Sequence, residues 1–342
     1  MFVAVGSTMS SMQPAPDDRP YAALSPDMVL DAVESVGLPV DGHLLALNSY
    51  ENRVYQVGVE GGPPVVVKFY RPQRWSDAAI LEEHRFTQAL AAEEIPVVAP
   101  VELSSAGTLA TFESFRFAVY PRRGGRTPEL EDPETLEWIG RFVGRIHLLG
   151  AARSYAHRPA IDVVTFGQEP RDYLLANGWV PEDLRNTWLS VVDHALDAVN
   201  RCYERAGPVR SIRLHGDCHR GNMLWTDAGP HFVDFDDSRM GPAVQDLWML
   251  LSGDRSSMVT QLADVLAGYE DFFDFDPREL HLLEALRTLR LIHYSAWLAR
   301  RWADPAFPAA FPWFDTTRYW EERILELREQ IALMDEPPLW PA

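Results

Sequence analysis

The chain has 342 residues, too many for one small hydrophobic core, so two lobes or domains are expected. An apolar fraction of 46% and a charged fraction of 24% are those of a folded globular protein, and no run approaches the roughly 20 consecutive apolar residues of a membrane helix. The net charge of −19 argues against general nucleic-acid binding, which needs a basic face to displace counterions, and is compatible with a cationic substrate or with solubility alone.

The first twenty residues, MFVAVGSTMSSMQPAPDDRP, have no early basic residue and only a short apolar run. They read as a disordered tail (1–20) and not as a signal peptide. Two cysteines, Cys202 and Cys218, are too few for a disulfide scaffold, so a cytoplasmic protein is expected. Residues 25–37 carry Ser25 as N-cap, Pro26 at the first helical position and Gly37 just past the end, the marks of a short helix. Strands are expected at 43–47, 53–59 and 64–70, the last two joined by a Glu60-Gly61-Gly62-Pro63 turn. The polar turn 48–52 between the first two strands offers backbone N–H groups and the Ser49 hydroxyl, but lacks the glycines of a G-x-G-x-x-G loop.

The third strand contains Lys68, the only lysine among 31 basic residues, facing the opposite side of the sheet from Val67. A compact ammonium kept in a chain that otherwise uses arginine suits a reach to phosphate. A helix follows at about 76–92, with Glu83 inside its apolar stripe. A carboxylate there wants a partner, and Lys68 is the expected one, with Glu82 a one-step alternative. A hairpin at 108–112 and 115–120 precedes Pro121-Arg122-Arg123-Gly124-Gly125, a break that marks the lobe boundary. This gives a helix-plus-sheet lobe at 21–121 and a mostly helical lobe at 122–342. Helices are expected at 132–149, 181–205, from Pro242 onward, and at 256–272, 277–302 and 316–334.

The exception in the second half is Leu214 to Asp237, LHGDCHRGNMLWTDAGPHFVDFDD, which reads as a loop, a hairpin and a carboxylate at a strand end. Phosphoryl transfer needs a carboxylate to orient the attacking hydroxyl and accept its proton, oxygen ligands for Mg²⁺, and a cation on the non-transferred phosphates. Asp217 suits the first role, Asn222 and Asp234 the second, and Lys68 the third. A zinc site on His215, Cys218 and His219 is disfavoured because the spacing is too tight and no second ligand pair lies nearby. An Asp234-Phe235-Asp236 metal site of a sugar transferase would leave Lys68 and Asn222 unexplained.

The stretch H-G-D-x-H-x-G-N followed by a strand and Asp resembles the aminoglycoside phosphotransferase and choline kinase family. The matches at Leu47–Tyr55, Val66–Pro72, Glu82–His84, Leu214–His219 and Gly241–Met249 bring it nearest a bacterial Ser/Thr protein kinase branch. The resemblance covers about 21–335 and implies an α+β, bilobal, protein-kinase-like fold with ATP between the lobes, near Tyr120 and Arg122. It further implies Asp217 as proton acceptor, Asn222 and Asp234 on Mg²⁺ with Asp234 also catalytic, Ser49 and Lys68 on ATP, Glu83 (or Glu82) beside Lys68, and Asp246 as a buttress of the loop. Phe235-Asp236 stands where eukaryotic protein kinases have Phe-Gly, and no Ala-Pro-Glu follows, which puts an ordinary activation segment in doubt. The acceptor implied is a protein Ser/Thr hydroxyl in a stress response, with a small-molecule hydroxyl or a non-catalytic nucleotide-binding module as alternatives. The expected protein is a monomer with neither nucleic-acid nor membrane partners.

Overall fold

The computed structural model describes residues 20–104 and 106–340, so the expected tail lies almost wholly outside the described residues. Helix α1 (Pro26–Ser35) is capped by the Ser25 hydroxyl, which accepts from the Met28 N–H. Strands β1 (Val40–Leu47), β2 (Arg53–Val59) and β3 (Val65–Phe69), helix α2 (Asp77–Ala92), and strands β4 (Ala110–Phe112) and β5 (Phe115–Pro121) follow in order. The five strands form one antiparallel sheet in the order β1-β2-β3-β5-β4. Lys68 sits near its centre, opposite Val54 on one side and Ala118 on the other. The alternation along β3 divides the sheet's duties. Val67 is fully buried in the cluster formed with α1, Phe69 and Phe117, while Lys68 points to the face that α2 covers.

Helix α3 (Pro133–Gly150) opens the helical half, capped by Asp132. Helices α4 (Glu169–Ala176) and α5 (Glu182–Ala206) follow, then β6 (Ile212–Arg213), the hairpin β7 (Met223–Thr226) and β8 (Gly229–Phe232), and β9 (Met240–Gly241). The chain finishes with α6 (Val244–Trp248), α7 (Arg255–Tyr269), α8 (Leu283–Ala299), α9 (Ala306–Ala310) and α10 (Thr317–Met334). Among the described residues no helix is long and apolar enough to cross a membrane.

Three local readings differ from the sequence expectation. The helix expected from Pro242 is only Val244–Trp248 and ends before Leu251. The one expected at 277–302 is a 3-10 turn at Pro277–Leu282, with α8 starting after it. The 164–176 helix was not expected, because a π turn at Val164–Gln168 breaks the 3.6-residue spacing just before α4 begins.

The main apolar core is continuous through the helical half and takes in Phe86 and Leu90 of α2, so that helix is packed on both halves. Helices α3 and α7 cross at backbone contact distance. A Cβ added at Gly140 would fall on the Val265 carbonyl oxygen, one at Gly144 on that of Tyr269, and one at Gly268 on that of Glu137. Backbone cannot yield as a flexible side chain can. We therefore expect Gly140→Ala to destabilise the fold by about 1–3 kcal/mol or more, read as a lowered thermal midpoint. A midpoint equal to wild type would contradict the crossing.

Candidate active site

The loop between β6 and β7 carries Asp217, and a carboxylate 29 residues further on holds that loop in place. Asp246 is fully buried at the start of α6. Its Oδ2 accepts the His215 N–H at 2.8 Å and its Oδ1 the Gly216 N–H at 2.9 Å. His147 Nε2 donates to Oδ2 at 3.0 Å, and the Tyr269 hydroxyl donates to His147 Nδ1 at 2.8 Å, which fixes the imidazole's orientation. Gly216 has φ +86, and a Cβ there would collide with the Asp237 carbonyl, so this position takes only glycine. His215 is no metal ligand in this arrangement: its Nε2 donates to the Val233 carbonyl at 2.9 Å and its ring lies 4.3 Å from that of Phe235. Cys218 is buried and free. Among the described residues no group of three or more His, Cys, Asp or Glu side chains is arranged to hold a metal.

Asp217 is brought beside Asn222, His219 and Arg290. Asn222 Nδ2 donates to the Asp217 carbonyl at 2.9 Å and to its Oδ2 at 3.2 Å, and His219 Nε2 stands 3.4 Å from the same oxygen. Arg290 Nη2 lies 2.7 Å from the buried Oδ1 and forms an ion pair with it. Burial alone would raise the Asp217 carboxyl. The His219 contact and the Arg290 charge outweigh it and hold the group at about 2. Arg290, on α8, has no local signal in the sequence that would tie it to Asp217.

Asp234 follows β8 in a left-handed conformation (φ 60, ψ 63), which Asp tolerates better than most residues. Its half-exposed side chain accepts from Lys68 Nζ at 2.8 Å. Lys68 is buried between the Tyr70 and Tyr120 rings. Burial would depress the ammonium, but Asp234 first, then Tyr120, Asp236 and Glu83, raise it well above its ordinary value.

The expected Lys68–Glu83 pair does not form: the lysine's ion pair goes to Asp234. Glu83 is buried on α2 with its Oε2 unpartnered, 3.7 Å from His84 Nε2. Burial pushes its carboxyl up to about 7, against the pull of Lys68 and Arg158. Glu82 is not the partner either. It accepts the backbone N–H groups of Ala156, His157 and Arg158, because it lies one residue round the helix and faces the other half of the molecule.

Of the remaining candidates, Tyr120 packs against Lys68, while Ser49 and Arg122 form no hydrogen bond or ion pair with Lys68, Asp217, Asn222 or Asp234 among the described residues. Ser49 sits half-buried in the β1–β2 turn, with no side-chain hydrogen bond among the described residues. The Tyr120 hydroxyl is buried under Lys68, 2.9 Å from that of Tyr70, which in turn lies 2.7 Å from His84 Nε2. Arg122 is exposed and donates to Gln56 Oε1 at 2.8 Å.

Pairings that sequence reading did not single out tie the two halves together. Asn52 Nδ2 donates to Asp236 Oδ2 at 3.1 Å, and Arg74 pairs with Asp236 and, at 2.6 Å, with Asp237. Arg53 and Arg71 both reach Asp304, and Trp297 Nε1 donates to Glu51 Oε2 at 2.7 Å. Arg158 Nη1 donates to the Asp236 and Ser238 carbonyls.

The sequence signature of a phosphotransferase enzyme family matches residues 43–283 of this chain. The chain belongs to the phosphotransferase enzyme family. Stress response kinase A of Escherichia coli strain K12 is 46% identical over 93% of this chain and 96% of its own length. Serine/threonine protein kinase RdoA of Salmonella typhimurium is 43% identical over the same shares. The bacterial Ser/Thr kinase branch suggested by the motifs is therefore represented among this phosphotransferase's relatives. Two solved structures share its fold. Amicoumacin kinase, in complex with AMP-PNP, Ca²⁺ and Ami, superposes with a TM-score of 0.70 at 18% identity, covering 92% of this chain and 95% of that one. A microcompartment-associated aminopropanol kinase gives 0.66 at 18% identity, with 91% and 97% covered. The fold is thus the expected α+β one, an antiparallel-sheet lobe joined to a helical lobe.

Glu83 supplies a pH test. A carboxyl whose folded value is about 7, against an ordinary 4.5, holds a proton in the fold that the unfolded chain releases. Its contribution is fully present below pH 4.5 and lost as pH rises through 7. Thermal unfolding should show wild type losing stability across this window, with Glu83→Gln giving a flatter profile and melting above wild type at about pH 8. Parallel profiles for the two proteins would contradict the assignment.

Proposed function

We propose that this phosphotransferase is an ATP- and Mg²⁺-dependent kinase whose acceptor is a Ser/Thr hydroxyl of a protein, acting in a stress response. The observation that carries the reading is the Asp217 carboxylate. It is held ionised by His219 and Arg290, on a loop clamped by Asp246, with the Asn222 amide donating to it. The acceptor hydroxyl would donate to Asp217 as its oxygen attacks the γ-phosphorus. The bond to the β–γ bridging oxygen breaks, ADP departs, and the hydroxyl proton passes to the carboxylate. A carboxyl at about 2 is a weak base, so its main work is to align the hydroxyl, taking the proton late, as a loose transition state permits. Arg290 keeps the carboxylate aimed and low in basicity.

The donor set fits a magnesium ion, which keeps most of its waters and takes few protein oxygens. Asn222 spends its Nδ2 on Asp217, which leaves Oδ1 available, and the half-exposed Asp234 already has a cation, the Lys68 ammonium, on Oδ1. Asn222 and Asp234 would hold the metal, which supplies charge neutralisation on the phosphates. Lys68 would then turn to the non-transferred phosphates and Glu83. The backbone of the turn containing Ser49 would cover the nucleotide, and the segment at Tyr120 to Arg122 would border it.

The protein acceptor rests on the names of the relatives that match along nearly their whole length. The more distant amicoumacin and aminopropanol kinases favour the second reading, a small-molecule hydroxyl. Asp217→Asn should retain nucleotide binding and lose about 10²- to 10⁴-fold in turnover, the scale of a positioned acid–base group. Unimpaired transfer by this variant would remove Asp217 from the mechanism. Labelled ATP offered with a generic basic protein and with a panel of amino alcohols and aminoglycosides decides the acceptor. Label is expected in protein, and label confined to a small molecule would establish the second reading.

A further inference from the structure

A cavity of about 550 Å³ lies away from Asp217. It opens between the β3–α2 connection and the last turn of α8, and neither Lys68, Asp217, Asn222 nor Asp234 lines it. Five arginines do: Arg71, Arg74, Arg239, Arg300 and Arg301. Only two carboxylates, Glu169 and Asp304, join them. In a chain of net charge −19, such a concentration of guanidinium groups calls for a reason.

Three of the five are accounted for. Arg71 pairs with Glu51 at 3.0 Å and Asp304 at 2.6 Å, Arg74 with Asp236 and Asp237, and Arg301 with Glu51. The other two are not. Arg239 is 8% exposed, yet its side chain donates no hydrogen bond among the described residues, its Nε is buried without a partner, and the nearest carboxylate, Asp237, is 3.7 Å away. It is held by ring faces instead, 5.0 Å from both Trp75 and Phe166. Burial, with the Arg74 and Arg158 charges nearby, pulls Arg239 down to about 10 against the attraction of Asp237. Arg300 is exposed at the rim, lies 4.7 Å over the Tyr173 ring, and has no ion pair among the described residues. A buried guanidinium with unspent donors is unfavourable unless something answers it.

We propose that this cavity binds a small phosphate-bearing anion between Arg239 and Arg300. Two guanidinium groups with donors to spare, one weakly paired and one unpaired among the described residues, match one phosphate dianion. A single carboxylate would leave one of them unanswered, and the planar fork of each arginine suits phosphate oxygens. A volume of about 550 Å³ is that of a small-metabolite pocket, and the Trp75 and Trp297 side chains give an organic portion apolar walls. The site reports to the reaction centre through Arg74, which lines the cavity while holding Asp236 and Asp237, two and three residues after Asp234. This inference stands independently of which hydroxyl is phosphorylated.

The test is calorimetric titration of the full chain, without nucleotide, with inorganic phosphate and in parallel with glycerol phosphate, at constant ionic strength. Saturable one-to-one binding is expected. Tighter binding of the ester assigns the site to organic phosphates, and equal or weaker binding assigns it to inorganic phosphate. Arg300→Ala, at an exposed position that does not endanger folding, should weaken binding by about tenfold, as loss of a charged hydrogen-bond donor does. Arg239→Lys, which keeps the charge and loses the fork, should also weaken it, and Lys68→Ala should leave it unchanged. No saturable binding would overturn the proposal. So would wild-type affinity in Arg300→Ala, or binding lost in Lys68→Ala while that variant melts as wild type does. Conversion of Asp17 and Asp18 to Asn in the full chain should not alter affinity. A tenfold gain would make the chain's own acids the occupant and overturn the free-ligand site.

Discussion

The buried carboxylate of Asp246 is the constraint on which the reactive loop depends. A charge with no access to water must be answered by donors on every side, and here the donors are two consecutive backbone N–H groups of the loop and one imidazole. The demand runs in both directions. The loop satisfies the charge, and the charge removes the freedom that a Gly-containing loop would otherwise have. Removing one partner of such a buried charged group costs about 3–5 kcal/mol. The loop therefore holds Asp217 with the stiffness of the core behind it, reaching through His147 to Tyr269 on α7.

A second set of charges joins the sheet to the helices. Glu51 and Asn52, on the turn that follows β1, reach Trp297 and Asp236, while Arg53 and Arg71 converge on Asp304. Arg74 closes the set onto Asp236 and Asp237. Surface ion pairs of this kind would contribute little, but these are largely buried, so each is costly to break and insensitive to salt. Asp236 is thus a tether between the helical half and the sheet.

Lys68, Asp234 and Glu83 form a triangle with one cation and two carboxylates. In this state the cation lies on Asp234, and Glu83 is left to be neutralised by a proton. The alternative arrangement differs only in which carboxylate the lysine faces.

What the sequence by itself determined is what depends on near neighbours. The capped helix after Ser25, the three strands around the lone lysine and the hairpin between Asn222 and Asp234 were all legible. The roles proposed for Asp217, Asn222 and Asp234 likewise start from the types and spacing of residues within one stretch of 24. The short helix after Pro242 and the π turn before α4 were not legible, since packing there overrides local periodicity. Only the tertiary structure decided the pairings. A one-residue step round α2 sends Glu82 to the 156–158 backbone and Glu83 inward, and the sequence left those two open. Arg290 beside Asp217, Arg74 on Asp236 and the unanswered Arg239 join residues far apart in the chain. Such pairs are set by how the lobes pack, and one arginine in a sequence of many gives no sign of which carboxylate, or which missing anion, it will face.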